Sequence, residues 1–162
     1  MNSYFNASKV SQTETINING NIENIFLLFG AFEERKWTEG WNPVLVFPET
    51  EIIEEGTTFT TEGHGEELEY LWRVSKYYPE QYLIQYLVST ENRYWTITVK
   101  CSPISADKTS AEITYTFIGL NEKGNKINKE SLQRMYENKL IDWEQEINNY
   151  LEKLLIPKFK KL

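Results

Sequence analysis

The chain of 162 residues carries 24 acidic and 17 basic side chains, for a net charge of -7 at pH 7, and this acidic excess argues against nucleic acid as its main partner. The single cysteine, Cys101, excludes an internal disulfide and a Cys/His zinc spacing, so we expect neither metal nor cofactor. No apolar run approaches the length of a membrane span, which is typical of a cytoplasmic protein. The length predicts one domain over residues 1–162, with a flexible lead-in at residues 1–9.

The first elements along the chain are predicted to be a strand and two short helical pieces. Val10–Asn19 alternates Thr and Ile as a half-buried strand does. Asn19 or Asn21 can cap a short helix that Gly30 ends, and a second helical piece follows over Ala31–Lys36. We therefore expect two short helices after the first strand.

Two tryptophans, Trp37 and Trp41, lie at a bend that Gly40 and Pro43 enforce. Large rings usually serve packing, so one interpretation is a hydrophobic plug that pins the short helices to the sheet. The other interpretation is direct contact with a ligand. The sequence leaves both open.

Six further strands follow, separated by short turns that predict an antiparallel meander. They are expected at Thr50–Glu55, Thr57–Glu62, Leu68–Tyr77, Gln81–Ser89, Tyr94–Cys101 and Ala111–Gly119. Alternation along three of them predicts an inward face made of Leu68, Tyr70, Trp72, Val74, Trp95, Ile97, Val99, Cys101, Ile113, Tyr115 and Phe117. Arg73 and Arg93 are expected on the outer face. The strand over residues 81–89 is apolar on both faces, so alternation does not assign its inward side.

The last long stretch, Lys126–Ile156, has the period of a helix with one buried face. Its apolar residues recur at steps of three and four, namely Leu132, Met135, Tyr136, Leu140, Trp143, Ile147, Tyr150, Leu151, Leu154 and Leu155. A helix of roughly 28 residues spans about 40 Å, so only a broad sheet covers its apolar stripe. We predict a curved antiparallel sheet that wraps this helix and leaves a cavity between the two.

Local motifs carry a resemblance to a known superfamily. The segment Phe32–Pro43 contains the pattern E-R-x-W-x-x-G-W-x-P, and Phe59–Trp72 is similar to F-T-T-x-H-G-x-E-x-x-x-W. Both patterns resemble a bacterial branch of the START-like, or Bet v 1-like (SRPBCC), superfamily, which includes polyketide cyclase-like and lipid-transport-like proteins. Glu122–Asn125 and the Trp143-Glu144 pair match the start and the body of that branch's last helix. The likeness covers the chain from about Val10 to Leu155.

The resemblance implies an α+β helix-grip fold, with about six to seven strands wrapped around a long C-terminal helix. It also implies a deep cavity that holds a small hydrophobic molecule, and it does not imply catalysis. One departure concerns the bend after the second motif, where Glu66 stands at a position that is commonly glycine in the branch. Proteins related to chaperone co-activators resemble the chain more distantly.

The aromatic content of 14% is high for a small protein and suggests a lined pocket. The candidate ligand-binding residues are Trp37, Trp41, Phe59, Tyr70, Trp72, Trp95, Tyr115, Phe117, Met135, Tyr136 and Trp143. The alternative is that these side chains fill the space themselves. Buried Tyr hydroxyl groups would need polar partners, so they are natural anchors for an oxygen of a ligand.

His64 is the only histidine and therefore the weak candidate for acid–base catalysis. Between Gly63 and Gly65 it is expected in a bend at a sheet end, where it could guard a pocket mouth or simply lie exposed. The nearby carboxylates of Glu62, Glu66, Glu67 and Glu69 are interpreted as a solvated acidic edge.

Three functions stay open from the sequence. The leading hypothesis is a non-catalytic binding protein for a small hydrophobic ligand, lipid or polyketide-like. The second is a cyclase- or dehydratase-like enzyme that acts in the same cavity. The third is a co-chaperone-like interaction module, which an exposed patch of Trp37 and Trp41 would favour and their burial would disfavour.

Overall fold

A computed structural model describes the backbone of residues 5–160 and the side chains of residues 5–155. Residues 1–4 of the lead-in lie outside this range, so the flexibility expected for residues 1–9 stays a prediction. The end of the lead-in is tied to the start of the first C-terminal helix, because the Ser8 backbone N–H donates to the Asn125 side chain at 3.1 Å. Among the described residues, none of the helices combines the length and apolar character that crossing a bilayer requires.

One antiparallel sheet of seven strands dominates the fold, in the order β1-β7-β6-β5-β4-β3-β2. The strands are β1 (Lys9–Ile18), β2 (Val44–Phe47), β3 (Thr58–Glu62), β4 (Glu69–Tyr78), β5 (Leu83–Ser89), β6 (Arg93–Ser105) and β7 (Lys108–Gly119). Register shifts at Val74/Lys76 and Pro103/Ser105 mark β-bulges, which bend the strands that carry them. The predicted antiparallel meander is confirmed.

The predicted strand over Thr50–Glu55 is wrong. This segment is a loop, and the additional strand is β2, which pairs with β3 at the sheet edge. The buried Thr57 side chain satisfies the loop backbone, since its Oγ1 accepts from the Glu54 N–H at 3.0 Å and donates to the Ile52 carbonyl at 2.8 Å. Because these backbone groups already have hydrogen-bond partners within the loop, the segment does not need to pair with a neighbouring strand.

Alternation predicts most of the inward face correctly. In β5, which the sequence left unassigned, Ile84, Tyr86 and Val88 are buried. Leu68 was predicted to point inward and is instead 86% exposed, because β4 begins one residue later and Leu68 belongs to the preceding loop.

The helical elements confirm two short helices after the first strand. They are α1 (Ile22–Leu27), which Asn21 caps by accepting from the Glu23 N–H at 3.0 Å, and a 3-10 helix at Glu33–Lys36. The 3-10 helix leads directly into the bend at Trp37.

The single continuous helix predicted over Lys126–Ile156 is wrong in one respect. The helical region consists of α2 (Glu122–Asn138) and α3 (Ile141–Lys160), separated at Lys139 and Leu140, which both have positive φ. The apolar period does not reveal this break, because periodicity reports which side chains face the sheet and not whether the backbone is continuous. Three predicted stripe residues are at least half exposed, namely Tyr136, Leu154 and Leu155.

The start of α2 sits unusually close to the turn between β5 and β6. A Cβ atom at Gly124 would lie 1.9 Å from the Asn92 carbonyl oxygen, so only glycine fits there. Asn121 caps the helix by accepting from the Gly124 N–H at 2.8 Å. This close approach positions α2 across the face of the sheet.

Candidate ligand-binding site

A cleft of about 1500 Å³ lies between the sheet and the C-terminal helices. The 3-10 helix and the bend after it close one side, and α2 and α3 form the roof. Strands β3 to β7 contribute the floor through their inward side chains. Exposed residues of the loop that contains His64 border the cleft.

All of the predicted ligand-binding residues except Tyr136 border this cleft. Those that do are Trp37, Trp41, Phe59, Tyr70, Trp72, Trp95, Tyr115, Phe117, Met135 and Trp143. The predicted placement of Tyr136 is wrong, since its side chain is 60% exposed and lies beside Gln12 and Leu132 on another surface of α2. Met135 already occupies the inward position at that turn, and the next residue of a helix points about 100° away.

One wall of the cleft is a cluster of four aromatic rings from the bend and from strands β3, β4 and β5. The Phe59 and Trp72 rings stack at 5.5 Å, and Trp41 and Tyr86 meet Trp72 edge to face at 5.3 and 5.9 Å. The indole N–H groups are satisfied inside the protein, because Trp72 donates to the Thr61 hydroxyl at 2.9 Å and Trp41 to the Ala31 carbonyl at 2.6 Å. This wall therefore offers ring surface and few free donors.

The opposite wall centres on Trp143 of α3. Its ring lies 5.8 Å from Trp37 and 6.4 Å from Tyr115. Trp37 is only 6% exposed, and its indole N–H donates to the Leu28 carbonyl at 2.7 Å. Trp37 thus holds the end of α1 in place, as the packing interpretation predicts. It also borders the cleft. Its burial counts against an exposed tryptophan patch.

Glu34 is the residue that sequence reasoning missed on this side of the cleft. Its side chain borders the cleft, is partly accessible from it and is otherwise surrounded by protein. Burial, followed by the nearby negative charge of Glu146, raises the pKa of the Glu34 carboxyl to about 8. The same carboxyl adds to burial in raising the pKa of the Tyr115 hydroxyl.

Tyr86 contributes a second hydroxyl near Glu34, but that hydroxyl has a partner. Its O–H donates to the Phe29 carbonyl at 2.8 Å, and burial raises its pKa well above the ordinary value. Tyr86 therefore serves to fix the end of α1, and Tyr115 is the better candidate for contact with a ligand.

A buried ion pair closes the other end of the cleft and corrects two predictions. Arg93, expected on the outer face, is 4% exposed, and Glu67, expected on a solvated edge, is 7% exposed. The Arg93 Nη2 atom lies 2.7 Å from Glu67 Oε1. The strand begins at Arg93 and not at Tyr94, so Arg93 belongs to the strand and faces inward like Trp95, two residues later. Alternation extended by one residue would therefore have predicted the inward position of Arg93 from the sequence.

Several groups support this pair. The Arg93 guanidinium lies over the Trp95 ring at 4.2 Å and donates to the Asn128 side-chain oxygen at 3.2 Å. Glu67 accepts from the Thr90 hydroxyl at 3.0 Å. Burial alone would raise the pKa of Glu67, but the hydrogen bonds and charge of Arg93 outweigh it and hold that pKa below its ordinary value.

His64 lies in the predicted bend at a sheet end, next to Gly65 with its positive φ of 61°. Its side chain is exposed, borders the cleft and meets the Tyr70 ring edge to face at 5.7 Å. This position agrees with a pocket mouth, and a role in catalysis stays a prediction.

The geometry matches that of solved structures although the sequence does not. No protein-family model and no curated protein sequence matches the chain. Norcoclaurine synthase from Thalictrum flavum, solved in complex with dopamine and hydroxybenzaldehyde, superposes with a TM-score of 0.67 at 11% identity, over 91% of this chain and 88% of that one.

Two further structures share the architecture. A protein from Thermobifida fusca has a TM-score of 0.63 at 12% identity, over 86% of this chain and 92% of that one. Ara h 8.0201 has a TM-score of 0.56 at 13% identity, over 82% and 95%. These likenesses confirm the expected architecture, and the chain has the helix-grip fold of the Bet v 1-like proteins.

Proposed function

We propose that this protein binds a small, largely hydrophobic molecule, lipid or polyketide-like, in the cleft between the sheet and the C-terminal helices. The observation that carries the proposal is the aromatic lining of a space of about 1500 Å³, in which the indole N–H groups of Trp37, Trp41 and Trp72 already have partners inside the protein. Burial of this ring surface against an apolar guest removes apolar area from water and is therefore favourable.

The fold gives secondary support. The norcoclaurine synthase structure holds two small aromatic molecules, dopamine and hydroxybenzaldehyde. A shared fold by itself does not transfer a ligand, so the chemistry of the lining carries more weight.

The test has two parts. Native mass spectrometry of the purified protein, followed by organic extraction, would identify a guest that co-purifies. Titration with diphenylhexatriene, an uncharged fluorescent hydrocarbon, would measure whether the cleft accepts an apolar molecule at one site per chain. Saturable binding of that stoichiometry is expected, and the absence of any binding in both experiments would overturn the proposal.

A second candidate function is favoured by one observation. A carboxyl with a pKa of about 8 beside the Tyr115 hydroxyl is suited to proton transfer near neutral pH, as a cyclase or dehydratase needs. With an identified substrate, Glu34→Gln would abolish turnover in such an enzyme, whereas His64→Ala would show whether the histidine takes part. Unchanged turnover in Glu34→Gln would remove this candidate.

We also propose three further properties of this chain. They are a single domain over residues 1–162, a cytoplasmic location and no nucleic acid partner, which agrees with the net charge of -7.

A further inference from the structure

Two pairs of residues face each other across one end of the cleft, each a glutamate and a tryptophan three positions apart. Glu34 and Trp37 belong to the 3-10 helix and its cap, and residues three apart in such a helix share a face. Trp143 and Glu146 have the same spacing in α3. The two indoles meet edge to face at 5.8 Å, and the Thr38 hydroxyl donates to the Glu146 carboxylate. Both carboxyl groups border the cleft there.

The two basic residues that follow Glu34 in sequence already form ion pairs with other carboxylates. Arg35 forms an ion pair with Glu51 at 2.6 Å, and Lys36 pairs with Glu33. Glu34 is therefore the one charged residue of its 3-10 helix without a salt bridge among the described side chains.

The other titratable groups that face Glu34 bring no positive charge. They are Glu146 from α3, Tyr86 from β5 and Tyr115 from β7, and Asp142 of α3 also borders the cleft. The basic residues that border the cleft lie on β6 and α2, namely Arg93, Lys123, Lys126 and Arg134. None of them contributes to lowering the pKa of Glu34 against the effect of burial. Arg93 and Lys123 are paired with Glu67 and Glu66.

We propose that the ligand of this cleft carries a basic nitrogen, held as an ammonium group by the carboxylates of Glu34 and Glu146 beside the rings of Trp37, Trp143 and Tyr115. This inference rests on the proposed function, which it makes more specific. The negative charge of Glu146 contributes to raising the pKa of Glu34, so the two carboxylates repel each other, and a cation between them removes that repulsion. Aromatic rings attract the same cation through their quadrupoles.

The charge state of Glu34 makes the proposal measurable. Because burial and Glu146 raise its pKa to about 8, the carboxyl is largely protonated at pH 7. Binding of an ammonium group then releases nearly one proton, and the affinity rises by roughly 10- to 50-fold between pH 6 and pH 8. A neutral ligand produces neither effect.

The experiment compares two probes of the same shape, 2-(1-naphthyl)ethylamine and 2-(1-naphthyl)ethanol, by isothermal titration calorimetry. Wild type, Glu34→Gln and Glu33→Gln are each titrated at pH 6, 7 and 8 in buffers of different ionisation enthalpy. Glu33→Gln is the matched control, since Glu33 lies next in sequence but pairs with Lys36. We expect the amine to bind wild type at least 10-fold more tightly than the alcohol at pH 8, with proton release at pH 7. This preference is expected to vanish in Glu34→Gln and persist in Glu33→Gln.

The outcomes separate this inference from the proposed function. Equal affinity for amine and alcohol, or a preference that Glu34→Gln leaves intact, overturns the ammonium site. If diphenylhexatriene still binds in that case, the proposed function stands. Tighter binding of the alcohol also overturns the inference and assigns Glu34 as a hydrogen-bond donor to a neutral ligand. If neither probe nor diphenylhexatriene binds, the inference and the proposed function both fail.

Discussion

Arg93 and Glu67 form an ion pair in which both side chains are buried and the Arg93 Nη2 and Glu67 Oε1 atoms lie 2.7 Å apart. The two residues are 26 positions apart in sequence, so the pair ties the loop that contains His64 to β6. Asn128 extends the connection to α2 through Arg93 Nη1. One guanidinium thus joins the loop at the cleft mouth, the sheet and the helical roof.

Removal of the cation leaves a buried carboxylate unpaired. We expect Arg93→Met to lower the free energy of unfolding by about 3–5 kcal/mol at pH 7, and Arg93→Met with Glu67→Met to recover much of that loss. Since Arg93 holds the pKa of Glu67 below its ordinary value, the pair stabilises wild type above about pH 4.5, and this contribution disappears as the pH falls through the lowered pKa. Urea unfolding at pH 7 and at a series of pH values from 5 down to 2 measures both effects. The control is Arg73→Met on the exposed side of β4, and equal losses for the two arginines would contradict the prediction.

The Glu34 carboxyl is expected to destabilise the protein as the pH rises, which is the opposite of the pH dependence expected for the Arg93–Glu67 pair. Its folded pKa of about 8 lies above the ordinary 4.5, so this carboxyl lowers the free energy of unfolding progressively between about pH 4.5 and pH 8, and the loss is complete above pH 8. Glu34→Gln cannot ionise and is expected to raise the free energy of unfolding by about 1–3 kcal/mol at pH 9 and to change it little at pH 5. Chemical unfolding at both pH values checks this, with Glu33→Gln as the control that shows no such pH dependence. A flat difference for Glu34→Gln would count against an ionisable carboxyl buried at that site.

Gly124 tests the close contact between α2 and the β5–β6 turn. Alanine is the better helix former by about 1 kcal/mol, yet its Cβ would meet the Asn92 carbonyl oxygen at 1.9 Å. We expect Gly124→Ala to destabilise the protein by about 2–3 kcal/mol because the helix or the turn must shift. Lys129→Ala on the exposed side of α2 is the control and should be nearly neutral. Thermal unfolding compares the two, and a stabilised Gly124→Ala would disprove the contact.

A glycine substitution at Lys139 tests whether the chain breaks between α2 and α3. Its φ of 52° is left-handed, and its N–H donates to the Met135 carbonyl at 2.7 Å as at a helix C-terminus. Lys139→Gly is therefore expected to stabilise the protein by about 0.5–1 kcal/mol. In Lys129→Gly, inside α2, the same substitution should cost about 1 kcal/mol. Equal losses for both variants in urea unfolding would indicate one continuous helix.

Met135 and Tyr136 test which surface of α2 receives the ligand. Met135 is 7% exposed and borders the cleft, whereas Tyr136 is 60% exposed and does not. An unpaired amide in an apolar site costs about 1–2 kcal/mol, so Met135→Gln should weaken diphenylhexatriene binding by about 5- to 30-fold. Tyr136→Gln should bind it as wild type does. A weakening that is as large in Tyr136→Gln would place the probe on the outer surface of the helix.

Local patterns were sufficient for much of the architecture. Alternation and turn residues depend on neighbours only a few positions away, so the antiparallel strands and most inward residues follow from the chain itself. The same holds for the strand aromatics that border the cleft, which share the inward parity of their strands. Alternation fails where a side chain forms hydrogen bonds with the backbone in place of a neighbouring strand. The loop whose backbone bonds to Thr57 is such a segment, and the strand predicted there is wrong.

Tertiary structure decided the polar features of the cleft. Glu34 and Glu67 are ordinary members of an acidic sequence, and their altered pKa values arise only in the folded protein, from burial together with Glu146 for Glu34 and from Arg93 acting against burial for Glu67. The break at Lys139 likewise has no glycine or proline to announce it. Burial and charge pairing join residues that are distant along the chain, and their energies depend on the folded surroundings, so composition and periodicity alone do not contain them.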